Sequence, residues 1–320
     1  MKVFRGVRVA ALFVGSVVGA GFATGQEVQF FFGGGSVVNL LTASLFMALA
    51  SYAFLDMGGK RIPCDKRLSL AADTVVTASS FAVYSAMIAA AEGVLFSLTG
   101  VAGFSSILAV LVMLFAGKNT AWLSSLNLIA VPLMAAVIVV VGVRVGGGQS
   151  GGALHPIRSL AYGGMNLLFS GALMMKEGAT LTRSEKVIAA FFSGVLLFLM
   201  LLFMWRSVSM GPNTAMPFLS VASRGGLGTF ASVALLLAIL TTMASCGYLV
   251  SDRLSLLSSD RAFAAPLVTL AGILVSSIGF APLVRTAYPI VSYLGLAVTF
   301  TVLFFALWSL LQKTAMKHRR

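Results

Sequence analysis

The sequence predicts an all-α polytopic membrane protein with ten transmembrane helices, arranged as five spans followed by five. Of its 320 residues, 59% are hydrophobic and 10% are charged, and the mean hydropathy is +1.00. A soluble domain carries about 25% charged residues. Apolar segments of about 20 residues, the length that crosses a bilayer core, recur along the chain. The most linker-like stretch, residues 143–152 (VRVGGGQSGG), separates the fifth segment from the sixth.

The first apolar segment is expected to be a retained helix rather than a cleaved signal peptide. Its apolar run continues past Phe32 without a small-residue cleavage site. The connection 209–227 carries two prolines and predicts a partly ordered external loop. The chain 1–320 is therefore expected to form one transmembrane domain with halves at about 1–143 and 155–312. The predicted spans are 7–32, 37–57, 73–98, 101–117, 121–143, 157–177, 186–208, 228–252, 264–282 and 287–312.

The basic residues predict the orientation of these spans. With the N-terminus inside, seventeen of the twenty-two Lys and Arg residues lie at cytoplasmic ends and five at the other side. Cytoplasmic loops carry such an excess in membrane proteins. Both termini are therefore predicted in the cytoplasm, with the chain in the cell (plasma or inner) membrane. The net charge of +13 reflects this topology rather than a nucleic-acid partner.

Motifs for enzymatic chemistry are absent from the sequence. Its two cysteines, Cys64 and Cys246, have neither metal-site nor disulfide spacing, and its two histidines, His155 and His318, fall in a loop and a tail. The sequence contains no nucleophile–base pair, Walker loop or haem ligand set. It thus predicts a protein that is not an enzyme and that needs no cofactor beyond a coupling ion.

The first span is predicted to be broken in its middle. Gly15, Gly19, Gly21 and Gly25 fall within eleven residues, and each costs about 1 kcal/mol relative to alanine in a helix interior. Broken backbone at membrane depth persists only where protein, water, an ion or a ligand satisfies it. The amides of Gly19, Ala20 and Gly21, with Phe22 following, are candidates to bind a substrate carboxylate. The alternative is that these glycines allow close helix packing.

The sixth span carries polar groups near mid-depth. Tyr162, the pair Gly163–Gly164, Asn166 and Ser170 lie within nine residues. Carbonyls freed by a break here, together with Asn166, are candidates to receive an ammonium group. The alternative for Asn166 is a helix–helix hydrogen bond, which contributes about 0.6–2 kcal/mol in membranes.

Two groups on the third span, and one near the end of the first, are candidates for substrate contact, gating or proton transfer. Tyr84 lies near mid-membrane and is either a substrate contact or a core residue. Glu92 lies two turns further out. It is a candidate to belong to a gate, to carry a proton or to face an aqueous vestibule, because intramembrane carboxyl groups are expensive to bury. The open alternative is a structural pairing. Glu27 is predicted to pair with Arg285 or another external base.

Five spans in each half place the second half on the opposite membrane face, so any repeat must be inverted. Gly21 precedes Glu27 by six residues in the first span, and Gly171 precedes Glu177 by six in the sixth. Glycine-interrupted segments at corresponding places in two halves are typical of transporter binding sites.

The run from Gly15 to Glu27, together with residues 288–295 (YPIVSYLG), resembles the YkvI-type amino-acid permeases of the amino acid–polyamine–organocation superfamily. The resemblance extends over the whole chain by span count. It implies a leucine-transporter (LeuT-type) fold, which is an inverted five-plus-five repeat with the first and sixth spans broken. It also implies that the substrate is a small amino acid or a related zwitterion.

The resemblance further implies a sodium site between the first and eighth spans. In the sodium-coupled relatives, a Gly-x-x-Val unit of the first span contributes carbonyl ligands, and Gly15 and Val18 occupy its positions here. The eighth span of the relatives contributes one carbonyl and two hydroxyls, which Ala238, Thr241 and Thr242 match. Sodium prefers such oxygen ligands. The alternative is that both hydroxyls bond the carbonyl one turn back. Phe22 stands where a second sodium site needs asparagine, and span five lacks the lysine that replaces sodium in proton-coupled relatives.

Together these features predict a secondary active transporter, with sodium-coupled symport of a small amino acid or zwitterion by alternating access. Proton coupling through Glu92 or Glu27 is one alternative. A membrane sensor that keeps the fold and binds ligand without transport is another. The expected partners are a small-molecule substrate and the lipid bilayer, with no nucleic acid, and the sequence indicates no oligomeric state.

Overall fold

A computed structural model describes residues 2–60, 66–116, 121–147, 152–209, 214–257 and 263–317. These residues form helices joined by short connections. The helices are α1 (Lys2–Val17), α2 (Ala20–Ala23), α3 (Gln26–Phe32), α4 (Val37–Met57), α5 (Lys66–Thr99), α6 (Phe104–Ala116), α7 (Ala121–Arg144), α8 (Pro156–Gly178), α9 (Arg183–Val208), α10 (Pro217–Arg224), α11 (Gly228–Leu257), α12 (Ala264–Ser276) and α13 (Phe280–Lys317).

Every apolar segment of the sequence contains helix. The first predicted span corresponds to α1, α2 and α3, the short α10 lies in the predicted external loop, and each other span is one helix. Within the described residues, five segments are long and apolar enough to cross a membrane, and three apolar helices are shorter. The chain is therefore a multi-pass membrane protein, while the count of ten crossings stays a prediction. The five long segments are Val37–Met57, Leu70–Thr99, Arg183–Val208, Gly228–Leu256 and Phe280–Ser309.

The first span is divided into three helical pieces by two glycines. Gly19 has an extended backbone (φ −85°, ψ −171°) between α1 and α2. Gly25 is in the left-handed region (φ 77°) between α2 and α3, where glycine avoids the steric cost that a Cβ would add. The backbone amide of Phe218, at the start of α10, donates to the carbonyl oxygen of Thr24 at 3.1 Å and so covers this second break.

The prediction that the sixth span is broken is wrong, because α8 is one continuous helix from Pro156 to Gly178. Its glycines serve close packing instead. A Cβ added to Gly163 would lie 2.6 Å from Cδ1 of Phe46 on α4, and one added to Gly164 would lie 2.5 Å from the backbone nitrogen of Leu296 on α13. The backbones approach where side chains are missing, so α8 keeps its own hydrogen bonds and frees no carbonyl at mid-depth.

The long helices pack in pairs around the first span. The most extensive pairs are α4 with α8, α8 with α13, α5 with α11, α1 with α9, and α4 with α9. By contrast, α1 and α7 do not form such a pair. They approach at Gly15, where an added Cβ would lie 3.4 Å from Cγ1 of Val131. Apart from this approach, the two helices make no extensive contact.

The connection between the halves is attached to the start of α4. Gly35 and Ala153 form an isolated parallel β-bridge. Asn39 donates from Nδ2 to the carbonyl of Ala153 at 2.9 Å, and its Oδ1 accepts the amide of His155 at 2.8 Å. Residues 148–151 of the predicted linker lie outside the described residues.

Candidate functional site

The break in the first span borders a cavity of about 320 Å³. The cavity lies between α1, α2 and parts of α5, α7, α8, α11 and α13. Glu27 is its one charged lining residue among the described residues. The other lining residues are Gly15, Ser16, Val17, Val18, Gly19, Ala20, Gly21, Val83, Ala130, Val131, Met165, Asn166, Phe169, Leu173, Ala238, Thr241, Thr242, Ser245, Cys246, Tyr288 and Val291.

The break leaves backbone groups without helical partners at the cavity. The amide of Ala20, which would bond Ser16 in a continuous helix, donates instead to Oγ1 of Thr242 on α11 at 3.2 Å. The carbonyls of residues 15–18 accept no hydrogen bond from any described residue. Unpaired carbonyls within a membrane protein are expensive unless water, an ion or a ligand satisfies them.

The five residues predicted to bind sodium all line this cavity. Gly15 and Val18 contribute two of the unpaired carbonyls, and α11 presents its hydroxyls opposite them. Here Thr241 donates to the carbonyl of Ala238 at 3.0 Å and Thr242 donates to the same carbonyl at 2.9 Å. Their protons point to their own helix, so lone pairs of both hydroxyl oxygens are available, with Thr242 also accepting the Ala20 amide.

Glu27 lines the cavity from α3. The left-handed turn at Gly25 directs α3 so that the Glu27 carboxyl reaches back to Gly21, and it hydrogen bonds the hydroxyl of Tyr288 on α13. A Cβ added to Gly21 would overlap both this carboxyl and the Tyr288 hydroxyl. Glu27 is 8% exposed, and its Oε2 has no hydrogen-bond partner among the described residues. No described base pairs with it, so Arg285 is not its partner.

Asn166 contributes a side-chain amide to the lining of the cavity. Its Nδ2 donates to the carbonyl of Tyr162, one turn back in α8, at 2.9 Å. This bond leaves the amide oxygen available on a helix that lines the cavity. Gly19, Ala20 and Gly21, which the sequence predicts to bind a substrate carboxylate, also line the cavity, although the Ala20 amide already donates to Thr242.

Four residues predicted to bind substrate do not reach the cavity. Phe22 is fully buried in the helix core. Tyr84 packs between Gly247 and Gly272, where an added Cβ on either glycine would meet its ring. Tyr162 packs edge-on against Phe31 and Phe32, with ring centroids 5.5 Å and 5.1 Å away. The fourth, Ser170, donates to the carbonyl of Asn166 at 2.7 Å.

Glu92 also lies away from the cavity, near the C-terminal end of α5. Its carboxylate accepts the amide of Gly103 at 2.7 Å and that of Ser105 at 3.2 Å. It therefore caps the start of α6, which carries the partial positive charge of a helix N-terminus. Of the alternatives for Glu92, this geometry favours the structural pairing.

Several lining residues were not predicted, although helical spacing carries the signal for some. Ser245 lies four residues after Thr241, and Phe169 lies three after Asn166, so each shares its neighbour's helix face. Tyr288 belongs to the stretch that carries the family resemblance, but nothing in the sequence connects it to Glu27. Cys246 and Val131 have no signal of this kind.

Comparison with known proteins supports the fold. No family model matches the sequence, and no curated protein matches it. Among solved structures, the chain resembles one described as the inward facing conformation of Mhp1, with a TM-score of 0.50 and 14% identity. The match covers 94% of this chain and 74% of that one. The chain is thus a multi-pass membrane protein with the LeuT-type fold.

Proposed function

We propose that this protein is a secondary active transporter that couples sodium entry to uptake of a small amino acid or related zwitterion. Its transmembrane domain is the whole chain, with inverted halves at about 1–143 and 155–312. Sodium binds where α1 ends, and substrate occupies the cavity beside it. Both termini face the cytoplasm in this proposal.

One observation carries the proposal. The carbonyls of Gly15 and Val18 have no hydrogen-bond donor among the described residues, and they line the same cavity as the hydroxyls of Thr241 and Thr242. Neutral oxygen atoms of this kind suit a hard monovalent cation without burying an anion. The hydrogen bond from Ala20 to Thr242 already joins the two helices that sodium would connect.

The packing of the helices supports inverted halves. The five spans of the first half are matched in order with those of the second, with α1 to α3 counted as one span and α10 left out as part of a connection. The pair α4–α8 then corresponds to α9–α1, and the pair α5–α6 corresponds to α11–α12. All four of these pairs pack. The pair α8–α13 also packs extensively, whereas its counterpart α1–α7 makes only a limited approach at Gly15. Such an inequality between equivalent interfaces is what alternating access requires, since one pathway closes as the other opens.

Proton coupling is the second candidate, because Glu27 is a carboxyl group that lines the cavity. A buried carboxyl without a basic partner is expensive when charged, and such groups carry protons in many transporters. Its neighbours among the described residues are the Tyr288 hydroxyl and Gly21 rather than a base.

Reconstituted protein distinguishes these functions. Purified protein is first screened by thermal unfolding against the twenty common amino acids, in sodium or in potassium. A ligand at a hundred times its Kd adds about 2.7 kcal/mol to a reversible folding equilibrium. Uptake of the best ligand into proteoliposomes is then driven by a sodium gradient alone or a pH gradient alone.

Sodium-driven uptake is the expected result. Uptake driven by the pH gradient, with equal affinity in the two salts, would replace sodium with proton coupling. Ligand-induced stabilisation without uptake under any gradient would indicate a sensor rather than a transporter.

A further inference from the structure

The continuous α8 leaves the proposed substrate without the ammonium site that a break would have created. The carbonyls of α8 keep their helical donors, and Asn166 offers a single amide oxygen. A charged nitrogen taken from water into this cavity needs a stronger partner than one neutral acceptor. The unpaired carbonyls at the end of α1 are assigned to sodium in the proposed function, so another lining residue must supply the group that recognises the nitrogen.

Glu27 has the position and the chemistry for this role. It is 8% exposed, it lines the cavity, and its Oε2 has no partner among the described residues. The Tyr288 hydroxyl hydrogen bonds the same carboxyl, which orients it, while the buried Oε2 keeps an unmet need for a donor. A carboxylate that accepts N–H groups from an ammonium forms the strong, charge-assisted kind of hydrogen bond.

The glycine beside Glu27 fits this role as well. An added Cβ on Gly21 would occupy the space of the carboxyl group and of the Tyr288 hydroxyl. Glycine therefore lets the carboxyl of α3 fold back against the first break rather than point away from the cavity. No Lys, Arg or His lines the cavity in the described part of the chain, so the protein itself supplies no cation there.

We propose that Glu27 is the specificity-determining residue of this cavity and binds the positively charged nitrogen of the substrate. The inference rests on the proposed function, in that the substrate enters this cavity, but it does not depend on the coupling ion. It defines the substrate class as amines and zwitterions. A carboxylate on the substrate is then optional, because a positively charged nitrogen alone would pair with Glu27.

Cys246 provides a native reporter for this proposal, since it lines the same cavity and is partly exposed. In a Cys64→Ser background, its rate of modification is compared for two methanethiosulfonates, one carrying an ethylammonium group and one an ethylsulfonate group. The rates are measured in alkaline buffer, so that the carboxyl is ionised, because a nearby negative charge then concentrates the cation and repels the anion. We expect Glu27→Gln to lower the cation-to-anion rate ratio by at least about tenfold. The control variant Glu92→Gln, outside the cavity, should keep the wild-type ratio.

A second measurement uses ligand protection in the wild type and in Glu27→Gln. With the uncharged methyl methanethiosulfonate as reagent, n-butylammonium should slow modification of Cys246 in the wild type, and n-butanol at equal concentration should not. Glu27→Gln should lose the protection. An unchanged rate ratio in Glu27→Gln, or equal protection by the amine and the alcohol, would overturn the assignment. Neither result depends on sodium or on uptake, so either can fail while the proposed transport stands.

Discussion

The amide of Ala20 donates to the hydroxyl oxygen of Thr242 at 3.2 Å, which joins the break in the first span directly to the middle of α11. The two residues are 222 positions apart. This hydrogen bond replaces one that a continuous helix would make, so Thr242 stabilises the broken conformation even before any ion binds. Thr241, at the preceding position of α11, lines the cavity without accepting a hydrogen bond from the first span.

This difference predicts different effects for the two threonines. Thr242→Val keeps the approximate volume but leaves the Ala20 amide unpaired, which costs about 1–3 kcal/mol. It should lower stability in potassium and also reduce the enhancement of substrate affinity by sodium. Thr241→Val should reduce that enhancement with little effect on stability in potassium. Thermal unfolding and substrate titration in both salts measure the two effects.

Thr242→Ser is the matched control for this pair. It keeps the hydroxyl oxygen that accepts the Ala20 amide, so it should behave like the wild type. Linkage requires that substrate raise sodium affinity by the same factor that sodium raises substrate affinity. Full enhancement in the double variant Thr241→Val/Thr242→Val would exclude these hydroxyls as sodium ligands.

The sequence predicted the helical segments and the first break because those features are local. Apolar length determines a span, and closely spaced glycines weaken the helix where Gly19 turns extended. The same glycine signal misled at Gly163 and Gly164, where the outcome depends on Phe46 and Leu296 from distant helices. Glycine allows either a break or close packing, and only the partner helix decides which occurs.

The position of Glu27 shows the same limit. The sequence predicts that it pairs with Arg285 or another external base. The left-handed turn at Gly25 reverses that expectation by directing α3 back toward Gly21. Tyr288, its hydrogen-bond partner, is contributed by α13 from the far end of the chain.

Gly21→Ala should disturb the site more than Gly19→Ala. An alanine Cβ at residue 21 would overlap Glu27 and Tyr288, whereas one at residue 19 would lie 3.3 Å from Oγ1 of Thr242. Overpacking of this kind costs about 1–3 kcal/mol. We expect a lower melting temperature and loss of ligand-induced stabilisation for Gly21→Ala. Equal melting temperatures for the two alanine variants would contradict the close approach at Gly21.

Asn166→Ala should weaken substrate binding at least about tenfold, a loss equivalent to 1.4 kcal/mol. Its stability should change little, because its one protein hydrogen bond is within α8. Ser170→Ala is the control, since Ser170 makes the same kind of bond one turn further on but does not line the cavity. Substrate titration of both variants measures the difference, and similar affinities in the two would assign Asn166 to packing.

Glu92→Ala should destabilise the protein without affecting coupling. The change removes the acceptor for the amides of Gly103 and Ser105, and the loss of a helix cap costs about 0.5–2 kcal/mol. Substrate affinity and the response of uptake to a pH gradient should match the wild type. A selective loss of pH-driven uptake at unchanged stability would restore Glu92 as a proton carrier.

The unequal packing of α1–α7 and α8–α13 predicts how the helices move during transport. Spin labels at Leu12 and Ile129 report the distance between α1 and α7, and labels at Ile157 and Ile290 report that between α8 and α13. All four side chains are exposed, so labelling avoids the core. In a chain whose two cysteines are replaced by serine, sodium with substrate should shorten the first distance and lengthen the second, because inverted halves exchange their packing. The Thr241→Val/Thr242→Val variant should respond less to sodium. If both distances changed in the same direction, the two interfaces would not be equivalent gates, and the inverted exchange would be wrong.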